Sequence, residues 1–228
     1  MSGVAPARLR RVLSLLAVVA LTTTTAGPAQ AATAELRVFH GRPAAGLLDL
    51  EVDGALRLRR VVEGTASEYL RLPPGRHTVL IRRSAGRRRA LTRLRVVLRV
   101  GRAHTLAVTG PPLRPGLRLL VDDRRTLRRA ARVRLVHLLP GRPPLRLVVR
   151  GGDTTAGGRL RFGAASPYRR LPAAAFPGGV LPIDLLDVGA GRVVARARLG
   201  VRTGRAYSVF VIPARPRGPL RLVLAQDS

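Results

Sequence analysis

Three carboxylates at alternate positions are the residues of this sequence that most resemble a chemical site. Asp49, Glu51 and Asp53 follow His40 in the segment LRVFHGRPAAGLLDLEVDG. Grouped oxygen ligands could begin a Ca²⁺ site, and His40 with Asp49 could serve a hydrolase or a metal-dependent enzyme. A flat strand, however, holds alternate side chains about 7 Å apart, too far for three carboxylates to close on one ion. We therefore expect a solvated polar face that neutralises nearby arginines.

Motifs of known catalytic machinery are missing from the sequence. There is no Gly-x-Ser-x-Gly elbow, no His-Glu-x-x-His pair and no phosphate-binding loop. The chain has no cysteine, which excludes thiol nucleophiles and thiolate metal ligands. It also has no tryptophan, and only 3% of its residues are aromatic, so a sugar-cleaving cleft with aromatic platforms is not expected. The prediction is a non-enzymatic protein with no catalytic residues, no metal site and no cofactor.

Histidine and tyrosine recur at matching places in the two halves of the chain. His40 and His137 are in phase with the apolar residues of their segments, so each imidazole is expected to donate to a backbone carbonyl at the end of a buried strand face. Tyr69 and Tyr168 each stand shortly before a Leu-Pro pair, as in the tyrosine corner, where the hydroxyl bonds back to the chain. A metal or catalytic role for the histidines and ligand stacking by the tyrosines stay open as alternatives.

These matches belong to a larger internal repeat. Four blocks recur in the same order: LRVFH with VRLVH, GTASEYLRLPPG with GAASPYRRLPAAAFPGG, VGRAHTLAVTG with TGRAYSVFVIP, and GLRLLVDD with PLRLVLAQD. Their order indicates a tandem duplication. We predict a first domain over residues 32–123, a linker over 124–131 and a second domain over 132–228.

Both halves have the hydrophobic period of strands. Leu94, Val96 and Leu98 alternate with Arg93 and Arg95, as expected for a strand with one face in a core and the other in water. Short strands separated by Pro and Gly are typical of β-sandwiches. The predicted fold class is all-β, with two tandem β-sandwich domains.

The recurring motifs resemble a bacterial secreted domain-of-unknown-function family, number 4397. In the first copy they are Arg37–His40, Pro43, Asp49–Gly54, Tyr69–Gly75 and Gly101–Leu106, and in the second Arg134–His137, Pro140, Tyr168–Pro172 and Gly204–Val209. The resemblance implies immunoglobulin-like or transthyretin-like sandwiches, secreted or surface-borne, without established chemistry. The second copy departs from it by placing Arg146, Val148 and Arg150 where the first has its three carboxylates, and by an insertion at Ala173–Phe176.

The first 31 residues have the composition of a secretory signal peptide. Arg8, Arg10 and Arg11 precede the apolar run Val12–Leu21, and Ala29-Gln30-Ala31 forms a small-x-small cleavage site. The apolar run is shorter than the roughly 20 residues that span a bilayer. We expect export by the general secretory or the twin-arginine route, no transmembrane anchor, and an extracellular or cell-wall-associated mature protein.

The charge of the chain is extreme. Lysine and arginine together number 42 against 12 acids, every one of these cations is arginine, and loss of the first 31 residues lowers the formal net charge from +30 to +27. The densest basic run extends over Arg82–Arg95 and is predicted to bind a polyanion. Its arginines are Arg82, Arg83, Arg87, Arg88, Arg89, Arg93 and Arg95.

Two interpretations of this charge are open. Arginine patches attract polyanions by counterion release, which predicts an anionic cell-envelope polymer as partner. Alternatively, exclusion of lysine indicates GC-rich codon usage, and the patches are a by-product of it. A surface protein bound through sheet edges and loops is a further possible partner, whereas sequence-specific nucleic acid is excluded because no recognition helix is visible. The predicted function is a secreted binding or structural module at the bacterial cell surface.

Overall fold

The computed structural model describes residues 32–85, 90–110, 115–150, 155–215 and 218–228. The strands of this part of the chain are β1 (Ala34–His40), β2 (Leu48–Val52), β3 (Ala55–Val61), β4 (Leu70–Leu72), β5 (Gly75–Arg83), β6 (Ala90–Leu98), β7 (Ala103–Thr109), β8 (Gly116–Asp122), β9 (Ala130–His137), β10 (Leu145–Val149), β11 (Thr155–Leu160), β12 (Arg169–Pro172), β13 (Val180–Asp187), β14 (Arg192–Gly200), β15 (Ala206–Pro213) and β16 (Leu220–Gln226). Two 3₁₀ turns, Ala173–Ala175 and Pro177–Gly179, follow β12. Within the described ranges, no helix has the length and apolar character that a bilayer crossing requires.

The strands form four sheets of four strands. Sheet A has the order β4-β1-β7-β8, sheet B β3-β2-β5-β6, sheet C β12-β9-β15-β16 and sheet D β11-β10-β13-β14. Strand β1 pairs with β7 in parallel, and β9 pairs with β15 in parallel, while the other ladders are antiparallel. The orders of sheets C and D repeat those of A and B with the strand number raised by eight. The predicted all-β fold with two sandwiches is confirmed.

Each pair of sheets encloses its own hydrophobic core. The inward residues of sheets A and B, such as Leu36 and Ile81, form the core of the first sandwich. Those of sheets C and D, such as Leu135 and Leu147, form the core of the second. All four side chains are fully buried. The period-two alternation of the strands produces these cores, because it directs one residue in two toward the facing sheet.

A third core joins the two sandwiches. Phe39 of sheet A and Phe210 of sheet C stack with ring centroids 3.7 Å apart, and Val136 and Ile212 pack around them. Strands β1 and β9 are therefore buried on both faces, and the burial includes the charged residues Arg37 and Arg134. The four sheets consequently stack in the order B, A, C, D.

Short turns place the polar groups of sheet B. A two-residue turn, Asp53-Gly54, connects β2 to β3, and both residues have positive φ, at 52° and 81°. This is the requirement of a type I′ hairpin turn, which Asp-Gly meets at little steric cost. Strand β9 begins at Ala130, so its first two residues lie within the predicted linker, 124–131.

Candidate functional site

Four of the seven arginines predicted to bind a polyanion lie on β5 and β6, which pair as an antiparallel hairpin. Arg93 and Arg95 are exposed and point outward, because their neighbours in β6 pack into the core of the first sandwich. Arg83 is exposed at the end of β5. Arg82 is half-buried, and its Nε lies 2.5 Å from Oε1 of Glu51. The hairpin therefore has a cationic outer face.

The other three predicted arginines, Arg87, Arg88 and Arg89, are not among the described residues. The described cationic surface instead continues across the sheet, to Arg57 and Arg59 of β3 and Arg76 of β5, which are all exposed. We call this surface the B face, and it consists of Arg57, Arg59, Arg76, Arg82, Arg93 and Arg95.

The second sandwich carries a comparable surface that the sequence analysis missed. Arginines lie on the outer face of sheet D, because the alternate residues of β10, β13 and β14 enter the second core. Asp184 lies among them, 3.3 Å from Nε of Arg150 and 3.7 Å from Nε of Arg196. We call this surface the D face, and it consists of Arg146, Arg150, Arg159, Arg196 and Arg198. The alternation RARLG in β14 was the signal for it.

The three carboxylates of β2 do not converge on one point. Asp49 accepts hydrogen bonds from the Arg60 backbone N–H at 2.9 Å and from the Ser84 hydroxyl at 2.5 Å. Glu51 faces Arg82. Asp49 is only 8% exposed, which differs from the expected solvated face. The cause is an irregularity in the β2–β3 ladder that brings the backbone of Arg60, with φ 56°, over the carboxylate.

The third carboxylate, Asp53, forms a pair with His77. The His77 Nδ1–H donates to Asp53 Oδ2 at 2.6 Å, and Nε2–H donates to the Pro73 carbonyl at 2.8 Å. Burial lowers the pKa of His77, but these two acceptors outweigh it and raise the pKa above its ordinary value. The Thr78 backbone N–H, and then His77, lower the pKa of Asp53. A neutral imidazole has only one donor nitrogen, so both bonds form together only when His77 is protonated.

A cavity of about 550 Å³ adjoins this pair at the edge of the B face. Its lining includes Arg76, His77 and Arg95 together with Asp53. Two arginines and an imidazole thus line this concavity beside the carboxylate of Asp53. Within the part of the chain that the structure describes, no group of three or more His, Cys, Asp or Glu side chains could hold a metal ion.

His40 and His137 have matching environments in the two sandwiches. The His40 Nε2–H donates to the Gly46 carbonyl at 2.8 Å, and its Nδ1 accepts from the Arg42 backbone N–H at 3.3 Å. His137 makes the same pair of bonds with the Pro143 carbonyl at 3.1 Å and with the N–H two residues after it. Burial lowers the pKa of both imidazoles, so they are neutral. Each ring fastens the loop that follows its strand.

This geometry does not support an enzyme built on His40 and Asp49. His40 is fully buried, and both ring nitrogens are engaged with backbone groups. Asp49 is engaged with a backbone N–H and a hydroxyl. A general base must reach the proton it removes, and a sealed imidazole with no accessible nitrogen does not meet that condition.

Tyr69 and Tyr168 contact carboxylates rather than the backbone. The Tyr69 hydroxyl donates to Asp122 Oδ2 at 2.8 Å, and the Tyr168 hydroxyl donates to Asp227 Oδ2 at 2.7 Å. The tyrosine-corner expectation of a backbone acceptor is therefore wrong, because each hydroxyl donates to a buried aspartate side chain. Burial, followed for Tyr69 by the charge of Asp122, raises the pKa of both phenols well above the ordinary range.

The aspartates are in turn paired with buried arginines of the opposite sandwich. Arg134 of β9 donates from Nη2 to Asp122 Oδ1, and from Nη1 to the Val121 carbonyl at 2.8 Å. Arg37 of β1 makes the equivalent bonds to Asp227 and to the carbonyl before it. All four charged side chains are at most 3% exposed. Each sandwich therefore gives one arginine and one aspartate to its neighbour.

Hydroxyl groups complete this network, which we call the seam. The Thr105 hydroxyl donates to Asp122 at 2.6 Å, and the Ser208 hydroxyl donates to Asp227 at 2.8 Å. Each also accepts from the Nε–H of the arginine beside it, Arg37 or Arg134, at 2.9 and 2.8 Å. The two arginines neutralise the two aspartates. The seam thus has a structural role, and sequence reasoning missed it because its partners are far apart along the chain.

Comparison with known proteins gives a family. Residues 34–148 match the family described as "Domain of unknown function (DUF4397)", from the start of β1 into β10. One solved structure, from work on "Alpha-glucan recognition by family 41 carbohydrate-binding modules from streptococcal virulence factors", is similar with a TM-score of 0.27 and 15% identity, over 83% of this chain and 97% of that chain. No curated protein matches the sequence. Since the matched residues make up half of the sequence, the chain belongs to the DUF4397 family.

Proposed function

We propose that the protein is a secreted, non-enzymatic binding module that attaches to anionic polymers of the bacterial cell surface through its B and D faces. The observation that carries this proposal is the crowding of arginines on the outer faces of sheets B and D. Their strands carry few acids there, and those acids are already paired: Glu51 with Arg82, and Asp184 with Arg150 and Arg196. The remaining arginines keep their charge available.

Guanidinium chemistry suits such a partner. Arginine presents a planar fork of donors that binds phosphate or carboxylate oxygens in pairs, and it stays charged at every physiological pH. Binding to a polyanion releases counterions, so the affinity falls steeply as salt rises. A flat sheet face with outward arginines at strand spacing suits a linear polymer better than a compact ligand.

Three further features belong to the same proposal. Residues 1–31 act as the export signal, which their basic start, apolar run and Ala-Gln-Ala site support. The mature chain works outside the cell or on the wall. Strands β9–β16 form a second copy of the family domain, which is supported by the strand orders that sheets C and D share with sheets A and B.

The test is binding of the mature chain, residues 32–228, to isolated cell walls before and after their anionic polymers are extracted. The measurement is repeated between about 50 and 200 mM salt, where polyanion contacts weaken strongly. One variant replaces arginines of both faces by glutamine: Arg57, Arg93, Arg95, Arg159, Arg196 and Arg198. A control variant removes equal charge from exposed arginines elsewhere: Arg102, Arg128, Arg129, Arg169, Arg170 and Arg205.

We expect retention that falls with salt, disappears on extracted walls and drops at least tenfold in the two-face variant. The control variant should keep most of its affinity, and all three proteins should melt at similar temperatures because the replaced side chains are exposed. An equal loss of wall binding in both variants would mean that retention depends on the net charge of the protein and not on the two faces. Binding that changes neither with salt nor with extraction of the anionic polymers would contradict the proposal and would indicate a protein partner.

A further inference from the structure

The stacking order of the sheets gives the molecule two cationic surfaces that face in opposite directions. Sheet A is covered by B on one side and by C on the other, and sheet C is covered by A and D. The B face and the D face are therefore the two outermost surfaces of the stack. We infer that the protein binds two anionic polymer chains at once and bridges them, an inference that rests on the proposed function.

The separation of the two faces makes them independent sites. Face-to-face sheets pack about 10 Å apart, so three intervals place sheets B and D roughly 30 Å from each other. This distance exceeds the screening length of about 8 Å at physiological ionic strength. A polymer bound on one face therefore leaves the charge of the other face available for a second chain.

The contacts between sheets A and C hold this separation constant. The stacked rings of Phe39 and Phe210 and the crossed pairs of Arg37 with Asp227 and Arg134 with Asp122 are buried between sheets A and C. A flexible linker would let both sandwiches turn toward one chain. A buried interface keeps their outer faces apart, so that a second chain is the readily available partner of the second face.

Corresponding strands carry the arginines on the two faces. Arg93 and Arg95 lie two residues apart on β6, and Arg196 and Arg198 lie two residues apart on β14, the equivalent strand of the second sandwich. In both pairs the intervening residue turns inward, so the guanidinium stems start about 7 Å apart on one outer surface. Both faces therefore offer the same donor spacing, which suits two chains of one polymer with repeated phosphate groups.

A bridging assay with long-chain polyphosphate tests this inference. Polyphosphate is fixed to beads, the mature chain is bound to them, and fluorescent polyphosphate is then added in solution. Fluorescence on the beads reports bridging, and bound protein reports attachment. The variants reverse the charge of one face only: Arg57→Glu, Arg93→Glu and Arg95→Glu on the B face, or Arg159→Glu, Arg196→Glu and Arg198→Glu on the D face. The matched control carries Arg129→Glu, Arg169→Glu and Arg205→Glu, which are exposed and lie outside sheets B and D.

The unaltered chain and the control should recruit fluorescent polymer to the beads. Each single-face variant should remain bound to the beads through its intact face but lose at least ninety per cent of the recruited signal. Equal recruitment by a single-face variant would overturn the inference, as would attachment of the unaltered chain without any recruitment. If the unaltered chain does not attach at all, the proposed function fails as well, and the bound-protein readout separates that result from a failure of bridging alone.

Discussion

At the residue scale, His40 and His137 differ from His77 in the hydrogen bonds that their ring nitrogens make. His40 and His137 each have one nitrogen that donates and one that accepts, which matches a neutral ring. His77 donates from both nitrogens, to Asp53 and to the Pro73 carbonyl. Two acceptors and no donor around a ring favour its protonated form. Of these three histidines, His77 is the one whose surroundings raise the pKa of the ring.

We expect His77 to titrate above its ordinary pKa of about 6.5, and Asp53→Asn to lower the midpoint. The pKa of His77 is raised and that of Asp53 is lowered in the folded chain. The contribution of the pair to stability is therefore full between the ordinary pKa values of the two groups, and it is lost as the pH rises through the folded pKa of His77 or falls through that of Asp53. Asparagine tolerates the positive φ of position 53 and keeps the turn. The measurement is NMR titration of the ring protons, and an unchanged midpoint in the variant would contradict the pairing.

At the element scale, the seam joins the first strand of each sandwich to the last strand of the other. Arg134 of β9 reaches Asp122 of β8, and Arg37 of β1 reaches Asp227, just past β16. Buried ion pairs contribute little net stability compared with apolar side chains, but loss of one partner leaves an uncompensated charge in a dry site. The seam therefore acts mainly against alternative arrangements of these strands. Any shift of one strand relative to its partner would leave four buried charges unpaired.

Asp122→Asn removes the carboxylate that faces the buried Arg134 guanidinium. We expect the free energy of unfolding to fall by about 3–5 kcal/mol, because the guanidinium stays charged and loses its counter-ion. The matched control is Glu35→Gln, whose partner Arg124 is on the surface with a side chain 39% exposed, and whose loss should cost about 0–1 kcal/mol. Urea unfolding at neutral pH measures both.

A second substitution checks the mechanism of this loss. Arg134→Met in the Asp122→Asn background removes the unpaired guanidinium charge. The double variant should therefore be more stable than Asp122→Asn alone. If the double variant loses the sum of both single effects, the cost of Asp122→Asn comes from packing and not from an unpaired charge.

At the scale of the whole molecule, periodicity and repetition predicted more than single residues did. The alternation of Leu94, Val96 and Leu98 predicted the strands, and the recurring blocks predicted two sandwiches. Contacts between the sandwiches were out of reach, because Arg37 and Asp227 are 190 residues apart and nothing local distinguishes them from surface charges. A pattern along one strand reports which face is buried, but not which sheet covers it.

Burial of β1 and β9 on both faces predicts that the two sandwiches unfold together. The chain from residue 32 onward is one compact unit, so calorimetry of the mature protein should show a single transition. The double substitution Phe39→Ala and Phe210→Ala removes the stacked rings between sheets A and C but leaves both sandwich cores intact. Each sandwich should then melt by itself, and the single transition should separate into two.

Leu50→Ala is the control for that separation, because Leu50 lies inside the core of the first sandwich and away from the seam. A truncation of this kind costs about 2–5 kcal/mol. We expect it to lower the melting temperature while one transition remains, since the coupling between the sandwiches is untouched. Two transitions in the unaltered chain, or one in the double phenylalanine variant, would show that the sandwiches are not coupled through these rings, and the constant spacing between the B and D faces would lose its physical basis.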